Sequence, residues 1–257
     1  MADECRREGK SNDSMTLLER CEAGRRLAER LAGCSLQNPA VLVMPPGGVR
    51  VGWEIAQRLN APMDVISALE VIVPGERGMR IGAVSEGAFV AGTASYRAGN
   101  HREADYVRRL VEFDAQRQAG QDACYRGRQR RLDVRNRDVV LVDDGWATPD
   151  MILAAMEAIR RRGAAARLLV TPQCQTETYA RLAPEVQVIS LYPRGPARSI
   201  ILIDRPLPLT PGEISEFIGK SRRPTPAQVE PLMKAIPGLS AASQASNVAG
   251  SQRGSNC

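Results

Sequence analysis

Short apolar runs alternate with amphipathic stretches along most of this chain. Continuous apolar runs at 41–44 and 139–142 are typical of strands buried on both faces of a sheet, and residues 168–171 and 186–191 predict two more strands. Apolar residues also recur at helical spacing in three stretches: Leu17, Cys21, Gly24, Ala28 and Leu31; Val51, Ile55 and Leu59; Ile152, Ala155, Met156 and Ile159. This alternation predicts an α/β fold with a parallel, doubly wound sheet and helices on both faces.

The middle of the chain departs from this alternation. Residues 63–73 predict a second strand region, 74–78 a loop, and 81–90 a hairpin that contains two glycines. Residues 101–125 have the composition of a strongly charged helix, which we expect on the surface. The thin apolar stripe of this helix consists of Tyr106, Leu110 and Phe113.

The length of 257 residues predicts one folded domain with polar ends. We expect four segments: a disordered N-terminus over 1–13, one domain over 14–204, a proline-rich segment over 205–236 and a disordered tail over 237–257. Within the proline-rich segment, Thr210-Pro211 and Thr225-Pro226 each pair a capping threonine with a proline, which predicts two short helices.

Composition narrows the class of protein. The hydrophobic fraction of 43% and the charged fraction of 25% are typical of a soluble globular chain. Residues 1–10 are charged, and no apolar run reaches membrane-spanning length, so we expect a cytoplasmic protein without a membrane partner. The cysteines form no CxxC pair, which predicts reduced, mostly buried thiols rather than a zinc site or a disulfide framework. They lie at positions 5, 21, 34, 124, 174 and 257.

The net charge of +6 and the pI near 9.2 are compatible with an anionic ligand. Aromatic residues make up only 4% of the chain, which leaves few stacking platforms for unpaired bases. A small phosphate-bearing ligand is therefore favoured over nucleic acid.

Two loops are the places to look for this ligand, because open parallel sheets bind ligands beyond the carboxyl ends of their strands. One loop follows Met44 and contains Gly47-Gly48, and the other follows Val142 and begins with Asp143-Asp144. Adjacent carboxylates at a strand end can accept hydrogen bonds from sugar hydroxyls. They can equally form a turn or a helix cap.

The run at 139–148 resembles the phosphoribosyl diphosphate (PRPP) motif of the type I phosphoribosyltransferases. The segments at 22–28, 45–49, 81–84 and 125–126 are similar, in the same order, to a group of predicted bacterial members of that family. The resemblance covers residues 17–171 and implies the family's Rossmann-like parallel α/β fold with a small hood region.

The resemblance also implies roles. Asp143 and Asp144 would bind the ribose hydroxyls of PRPP, and the backbone amides of 145–151 would hold its 5′-phosphate. The resulting substrate-binding set is Asp143, Asp144, Gly145, Trp146, Ala147, Thr148, Gly47 and Gly48. The loop after Met44 would contact pyrophosphate, Mg²⁺ would bridge pyrophosphate and ribose, and a small, nucleobase-like acceptor would displace the pyrophosphate.

Three departures from the family pattern weaken these anion contacts. The phosphate loop is one residue short, and Pro149 removes an amide donor while Asp150 adds a negative charge. Pro46 stands where the family usually has arginine, and Leu69-Glu70 where a basic pair is expected. With Thr148 as N-cap, Pro149 and Asp150 can also be interpreted as a self-contained helix start.

Three functional hypotheses follow. The first is an active phosphoribosyltransferase, and the second is a catalytically lapsed relative that acts as a ligand sensor or interaction scaffold. The third is a nucleic-acid-binding protein that uses arginines clustered over 126–137, although such a cluster is more often a solvated face. A homo-oligomer is left open.

Four further residues have a functional and a structural interpretation each. His101 suits a helix start better than general acid-base catalysis, and Trp53 suits packing. Trp146, beside the acidic pair, is the better candidate for stacking on a base. Glu86 could contact an acceptor or serve as a polar hairpin residue.

Overall fold

A computed structural model describes residues 16–74, 79–92, 101–195, 200–203 and 209–222. The predictions of a disordered N-terminus, a helix at Thr225-Pro226 and a disordered tail lie outside these residues. The predicted domain boundaries stay predictions.

The strands and helices alternate along most of the described chain. The strands are Thr16–Glu19 (β1), Ala40–Val43 (β2), Met63–Val65 (β3), Leu69–Ile72 (β4), Arg80–Ser85 (β5), Ala88–Ala91 (β6), Asp138–Val142 (β7), Ala166–Gln175 (β8), Gln187–Gly195 (β9) and Ile200–Ile203 (β10). The helices are Arg20–Leu31 (α1), Gly48–Leu59 (α2), His101–Arg126 (α3), Pro149–Arg161 (α4), Thr176–Leu182 (α5) and Pro211–Ser221 (α6).

The central sheet is parallel throughout and has the order β3-β2-β7-β8-β9. Counted along the chain, its strands are therefore arranged 2-1-3-4-5, an order found in doubly wound folds. The chain turns outward in opposite directions from β2 and β7, which are neighbours with Val43 opposite Val142. This topological switch point leaves a crevice between the loops that follow these two strands.

Alternate residues of the central strands form two cores, one on each face of the sheet. Val41, Val43, Val140 and Val142 belong to the core that includes buried side chains of α1, α2 and α6. Leu42, Leu141 and Leu169 belong to the core that includes those of α4 and α5. The predicted parallel α/β sheet with helices on both faces is confirmed.

Two small sheets stand outside the central sheet. Strands β4, β5 and β6 form an antiparallel sheet, as the glycine-containing hairpin predicted, and β1 pairs in parallel with β10. The predicted strand region over 63–73 is thus two strands that belong to different sheets. Helix α3 packs against β3, β4 and β5.

The first helix begins later than its apolar spacing predicts. Leu17 lies in β1, and α1 begins only at Arg20. The helical prediction was wrong at Leu17 because β1 pairs with β10, which is far away in the sequence. Local periodicity carries no information about such a pairing.

The buried side of α3 is apolar in its first half, where Val107 and Leu110 join the apolar cluster of β4 and β5, and polar in its second half. The predicted apolar stripe is therefore right for Leu110 and wrong for its other two residues. Tyr106 and Phe113 are 41% and 60% exposed. The buried residues include Asp114, Gln118 and Asp122. These polar side chains bind the backbone of the elements below the helix: Asp122 accepts hydrogen bonds from Ser67, and Gln118 accepts one from the Glu86 amide.

Helix α6 begins where the sequence predicts a helix, after Thr210. The Thr210 side chain accepts a hydrogen bond from the Glu213 amide, and the Glu213 carboxylate accepts one from the Thr210 amide. This capping box fixes the helix start, and Ile214 and Ile218 then enter the core.

The prediction of mostly buried thiols was wrong for the described cysteines. Cys174 is buried, Cys21 and Cys34 are half-buried, and Cys124 is exposed on α3. All four are free thiols.

We expect Asp64 to be a main determinant of stability. Its fully buried carboxylate accepts hydrogen bonds from Arg126 and the Leu132 amide and forms an ion pair with Arg222. Asp64→Ala leaves two arginines without this partner and should lower the free energy of unfolding by about 3 to 5 kcal/mol in urea denaturation. Asp105→Ala, at an exposed ion pair, is the control and should cost under about 1 kcal/mol. Equal losses would contradict this role.

Candidate functional site

A cavity of about 530 Å³ opens at the switch point between β2 and β7. We call it the switch-point cleft. Its lining comes from the loops after β2, β3 and β7, from α3 and from the first residue of α1. The lining residues are Arg20, Met44, Pro45, Pro46, Gly47, Ser67, Ala68, Leu69, Gln121, Asp143, Asp144, Trp146, Ala147 and Met151.

The two glycines after β2 allow the loops of β2 and β7 to touch. A Cβ atom at Gly47 would lie 1.8 Å from Asp144 Oδ2, and one at Gly48 would lie 2.8 Å from the carbonyl oxygen of Val142. Neither position can hold a side chain without a shift of the neighbouring loop. The structure therefore brings the predicted Gly47-Gly48 and Asp143-Asp144 loops together.

Asp143 turns back over its own loop. Its buried Oδ2 accepts hydrogen bonds from the amides of Gly145, at 2.7 Å, and Ala147, at 3.4 Å. The positive φ of Gly145, 92°, permits this turn. Burial, with a smaller contribution from the charge of Asp144, raises the pKa of Asp143 to about 7. Asp143 thus has the turn geometry that the sequence left as one alternative.

Asp144 is paired with Arg20 across the cleft. Its Oδ2 accepts hydrogen bonds from Arg20 Nε at 3.3 Å and from a terminal guanidinium nitrogen at 2.8 Å. Both side chains are nearly buried. The sequence prediction missed Arg20, because the helical pattern placed this residue inside a helix that began at Leu17. Its position at the start of α1, beside β1, brings it to the cleft.

A second, smaller cavity of about 190 Å³ lies beside the loop that joins β7 to α4. We call it the loop cavity. Its lining includes Asp143, Gly145, Thr148, Thr171 and Gln173.

Two polar atoms of the loop cavity have no hydrogen-bond partner. Thr148 Oγ1 and Gln173 Oε1 are both buried and unpaired. Thr148 is the N-cap of α4, but its side chain makes no capping hydrogen bond, so the interpretation of a self-capping helix is wrong for this side chain. Unsatisfied buried polar atoms cost free energy and often indicate a water or ligand site.

The Asp150 carboxylate is paired with a cation of the neighbouring helix α5. Its carboxylate forms an ion pair with Arg181 of α5, and a Cβ atom at Gly92 would lie 2.2 Å from its Oδ2. The predicted negative charge of Asp150 is therefore present in the first turn of α4, but it is paired with a cation. Pro149 is at the first position of α4, as predicted.

Trp146 and Trp53 have different surroundings. Trp146 is 65% exposed and lines the switch-point cleft. Trp53 packs edge-on against Phe217, with ring centroids 5.0 Å apart, as the packing interpretation predicted. Helix α3 begins at His101, which agrees with a helix-start position.

Glu86 and several arginines of 126–137 serve the fold. Glu86 forms ion pairs with Arg131 and Arg162 and does not line the cleft. Arg126 is buried against Asp64, and Arg137 donates a hydrogen bond to the carbonyl oxygen of Pro39. These contacts hold Arg126 and Arg137 within the fold, while Arg131 stays exposed but ion-paired, which weakens the cationic face on which the nucleic-acid hypothesis depends.

The described ranges contain neither a candidate metal cage nor a membrane-spanning helix. No group of three or more His, Cys, Asp or Glu side chains there could hold a metal ion. No helix in the described part of the chain is long and apolar enough to cross a bilayer.

Comparison with known proteins agrees with the family resemblance. The chain is 36% identical over 168 residues, 64% of its length, to proteins from two strains of Mycobacterium tuberculosis, CDC 1551 / Oshkosh and ATCC 25618 / H37Rv, each named "Putative phosphoribosyl transferase". The match spans 37% of the length of these relatives. No family model matches the chain.

The solved structures that are similar to this chain include one from Thermus thermophilus. The crystal structure of TT1426 from Thermus thermophilus is 29% identical, with a TM-score of 0.67, and the match covers 80% of this chain and 99% of that one. The relatives confirm the predicted resemblance to phosphoribosyltransferases. The strand order confirms the predicted parallel, doubly wound α/β fold class.

The raised pKa of Asp143 gives stability a defined pH dependence. An acid whose folded-state pKa lies above its unfolded value, near 4, stabilises the fold at low pH and loses that contribution as pH rises towards 7. Asp143→Asn keeps an acceptor for the amides without the charge. It should be more stable than the wild type at pH 8, and the difference should shrink as pH falls from 7 to 4 in urea titrations. The exposed Asp133→Asn is the control, and a pH-independent difference would contradict the buried charge.

Proposed function

We propose that this chain, which resembles the phosphoribosyltransferases and has their type I fold, binds PRPP and transfers its phosphoribosyl group to a small, nucleobase-like acceptor with release of pyrophosphate. The observation that carries this proposal is the meeting of Gly47, Asp143 and Asp144 in one cleft at the switch point. Each part of PRPP has a counterpart in this cleft or in the adjoining loop cavity.

The ribose hydroxyls would bind the acidic pair. Asp144 faces the switch-point cleft, where its carboxylate can accept hydrogen bonds from a diol once Arg20 shifts towards another anion. Asp143 holds the loop amides with Oδ2 and supports the position of Asp144. We therefore assign ribose binding mainly to Asp144 and loop positioning mainly to Asp143.

The pyrophosphate would lie between the Gly47-Gly48 loop and Arg20. The Gly47 loop lines the cleft next to Asp144, and the Arg20 guanidinium provides a cation within the cleft. Arginine suits this role because its planar fork can bind two phosphate oxygens. Arg20 thereby compensates for the proline at position 46.

The 5′-phosphate would enter the loop cavity. Thr148 Oγ1 can donate a hydrogen bond there, and the Gln173 amide can donate one after rotation about its last side-chain bond. The ion pair with Arg181 neutralises Asp150, so that its charge does not oppose the phosphate. Asp143 already occupies two amides of this loop, which makes the phosphate contacts fewer than in a complete phosphate loop.

The residues fit a magnesium ion that arrives with its substrate. Mg²⁺ is usually held by one or two carboxylates together with substrate phosphates and waters, and the cleft offers the pair Asp143 and Asp144. Among the described residues there is no third carboxylate that would complete a protein cage. When bound, the ion would neutralise charge on the departing pyrophosphate.

Transfer requires little covalent chemistry from the protein. The bond between the anomeric carbon and pyrophosphate breaks as an acceptor nitrogen attacks that carbon, so catalysis depends on positioning and on stabilising negative charge. Asp144 would orient the ribose, and Arg20 would stabilise the leaving group. The exposed ring of Trp146 offers a stacking surface for a planar acceptor at the mouth of the cleft.

A ligand sensor without turnover is the second candidate. The Arg20–Asp144 ion pair favours it, because ribose binding must break a nearly buried charge pair. Release of pyrophosphate on addition of nucleobases would separate the transferase from the sensor, which binds PRPP but releases none.

PRPP binding tests the proposal directly. Calorimetric titration with PRPP and Mg²⁺ should give micromolar affinity, and Asp143→Asn/Asp144→Asn should weaken it by about a hundredfold or more, because the ribose loses its acceptors. Asp105→Asn/Asp133→Asn removes two exposed carboxylates elsewhere and is the matched control. The absence of binding at millimolar PRPP, or equal loss in the control, would refute the proposal.

A comparison of two ligands tests the proposed role of Arg20 in pyrophosphate binding. Arg20→Gln should weaken PRPP binding by about tenfold or more but leave the affinity for ribose 5-phosphate unchanged or higher, because only PRPP carries the pyrophosphate. Arg25→Gln changes an exposed arginine of the same helix and should alter neither affinity. Equal loss for both ligands would show that Arg20 acts through the fold.

A further inference from the structure

A third cavity, of about 470 Å³, shares no lining residue with the switch-point cleft or the loop cavity. We call it the arginine cavity. Strand β6, helices α4 and α5 and the beginning of β8 surround it. Three arginines from three different elements line it: Arg160, Arg167 and Arg181.

These arginines differ in their partners. Glu157 binds Arg160 through two hydrogen bonds, at 2.6 and 2.7 Å, and Asp150 binds Arg181. Arg167 is half-buried and donates to the carbonyl oxygen of Met156 at 3.2 Å. Within the described residues it has no carboxylate partner, which is unusual for a half-buried cation.

We infer that the arginine cavity binds a small organic phosphate. A phosphate would supply Arg167 with the missing anion, and the other two arginines can add hydrogen bonds from either side. Leu153, Met156 and Val186 provide an apolar wall for the organic part of the ligand. The volume falls within the range that small-molecule sites usually have.

Two carboxylates line the arginine cavity, and of these Glu157 is paired with Arg160. The other one opposes an anion. Glu185 is exposed at the cavity, and its charge would repel a phosphate. This repulsion limits affinity and gives the proposal a second, oppositely directed test. Removal of the Glu185 charge should strengthen binding, whereas removal of the Arg167 charge should weaken it.

Arg181 connects this cavity to the loop cavity. It binds Asp150, which lies in the first turn of α4, directly after the loop at 145–149. A phosphate in the arginine cavity that draws Arg181 away from Asp150 would leave Asp150 charged and unpaired beside that loop. The ligand would then weaken phosphate binding in the loop cavity, a consequence that rests on the proposed function. Binding to the arginine cavity does not depend on it.

Phenyl phosphate is a suitable probe, because it combines a phosphate with an apolar ring and has no ribose. Calorimetric titration at pH 8, where its phosphate is a dianion, should show saturable binding at constant ionic strength. Arg167→Gln should weaken binding by at least about tenfold, and Glu185→Gln should strengthen it. The control Arg128→Gln, at an exposed arginine after α3, should match the wild type.

Three results would overturn the site: unchanged binding in Arg167→Gln, equal losses in Arg128→Gln, or loss of binding in Asp143→Asn/Asp144→Asn, which would place the probe in the cleft. Inorganic phosphate should bind more weakly than phenyl phosphate, and equal affinity would contradict the apolar wall. Thermal unfolding of each variant checks that the fold is retained.

The connection between the arginine cavity and the loop at 145–149 is tested by the effect of each ligand on the Kd of the other. Saturating phenyl phosphate should raise the Kd for PRPP in the wild type, and PRPP should raise the Kd for phenyl phosphate by the same factor. If the chain binds no PRPP, the proposed function fails while the probe titration still decides the site. If both ligands bind independently, the connection through Arg181 is wrong.

Discussion

The contact between the loops after β2 and β7 is the constraint on which the site depends. The strand order makes β2 and β7 neighbours, and the parallel register ends both strands at the same edge of the sheet. The absence of side chains at Gly47 and Gly48 then lets one backbone lie against the carboxylate and carbonyl oxygens of the other loop. The switch-point cleft exists because these two features coincide.

Carboxylates near this edge are held by specific cations or amides. Arg20 binds Asp144, Arg181 binds Asp150, and Arg126 binds Asp64 beneath α3. Such pairing is required because a buried charge without a partner is costly. Asp143 differs, since backbone amides hold it and burial raises its pKa. The side chains of the cleft are therefore held in fixed positions. A ligand that binds Asp144 must first displace Arg20 from this carboxylate.

The sequence predicted the elements whose patterns are local. The runs at 41–44 and 139–142 gave the central strands, and the spacing from Ile152 to Ile159 gave α4. The prediction failed where pairing with a strand far away in the sequence determines the structure, as at Leu17 in β1, which pairs with β10. It also failed on part of α3: Phe113 is exposed, and the second half of the helix buries Gln118 and Asp122, which bind polar backbone.

The candidate site was predictable as two loops but not as a set of contacts. The carboxyl ends of the strands and the family resemblance pointed to Gly47-Gly48 and Asp143-Asp144. The structure places Gly47, Asp143 and Asp144 in one cleft and buries Gly48 against Val142. Arg20 and Arg181 could not be predicted, because their partners lie 124 and 31 residues away in the sequence. Their ligand-binding roles, like those of the predicted residues, remain proposals.

The most direct test of the central claim is a crystal structure of the chain with PRPP and Mg²⁺. The account predicts the ribose hydroxyls at Asp144, the pyrophosphate between Gly47 and Arg20, and the 5′-phosphate beside Thr148. Electron density for PRPP outside the switch-point cleft, or an intact Arg20–Asp144 ion pair with PRPP bound, would contradict it.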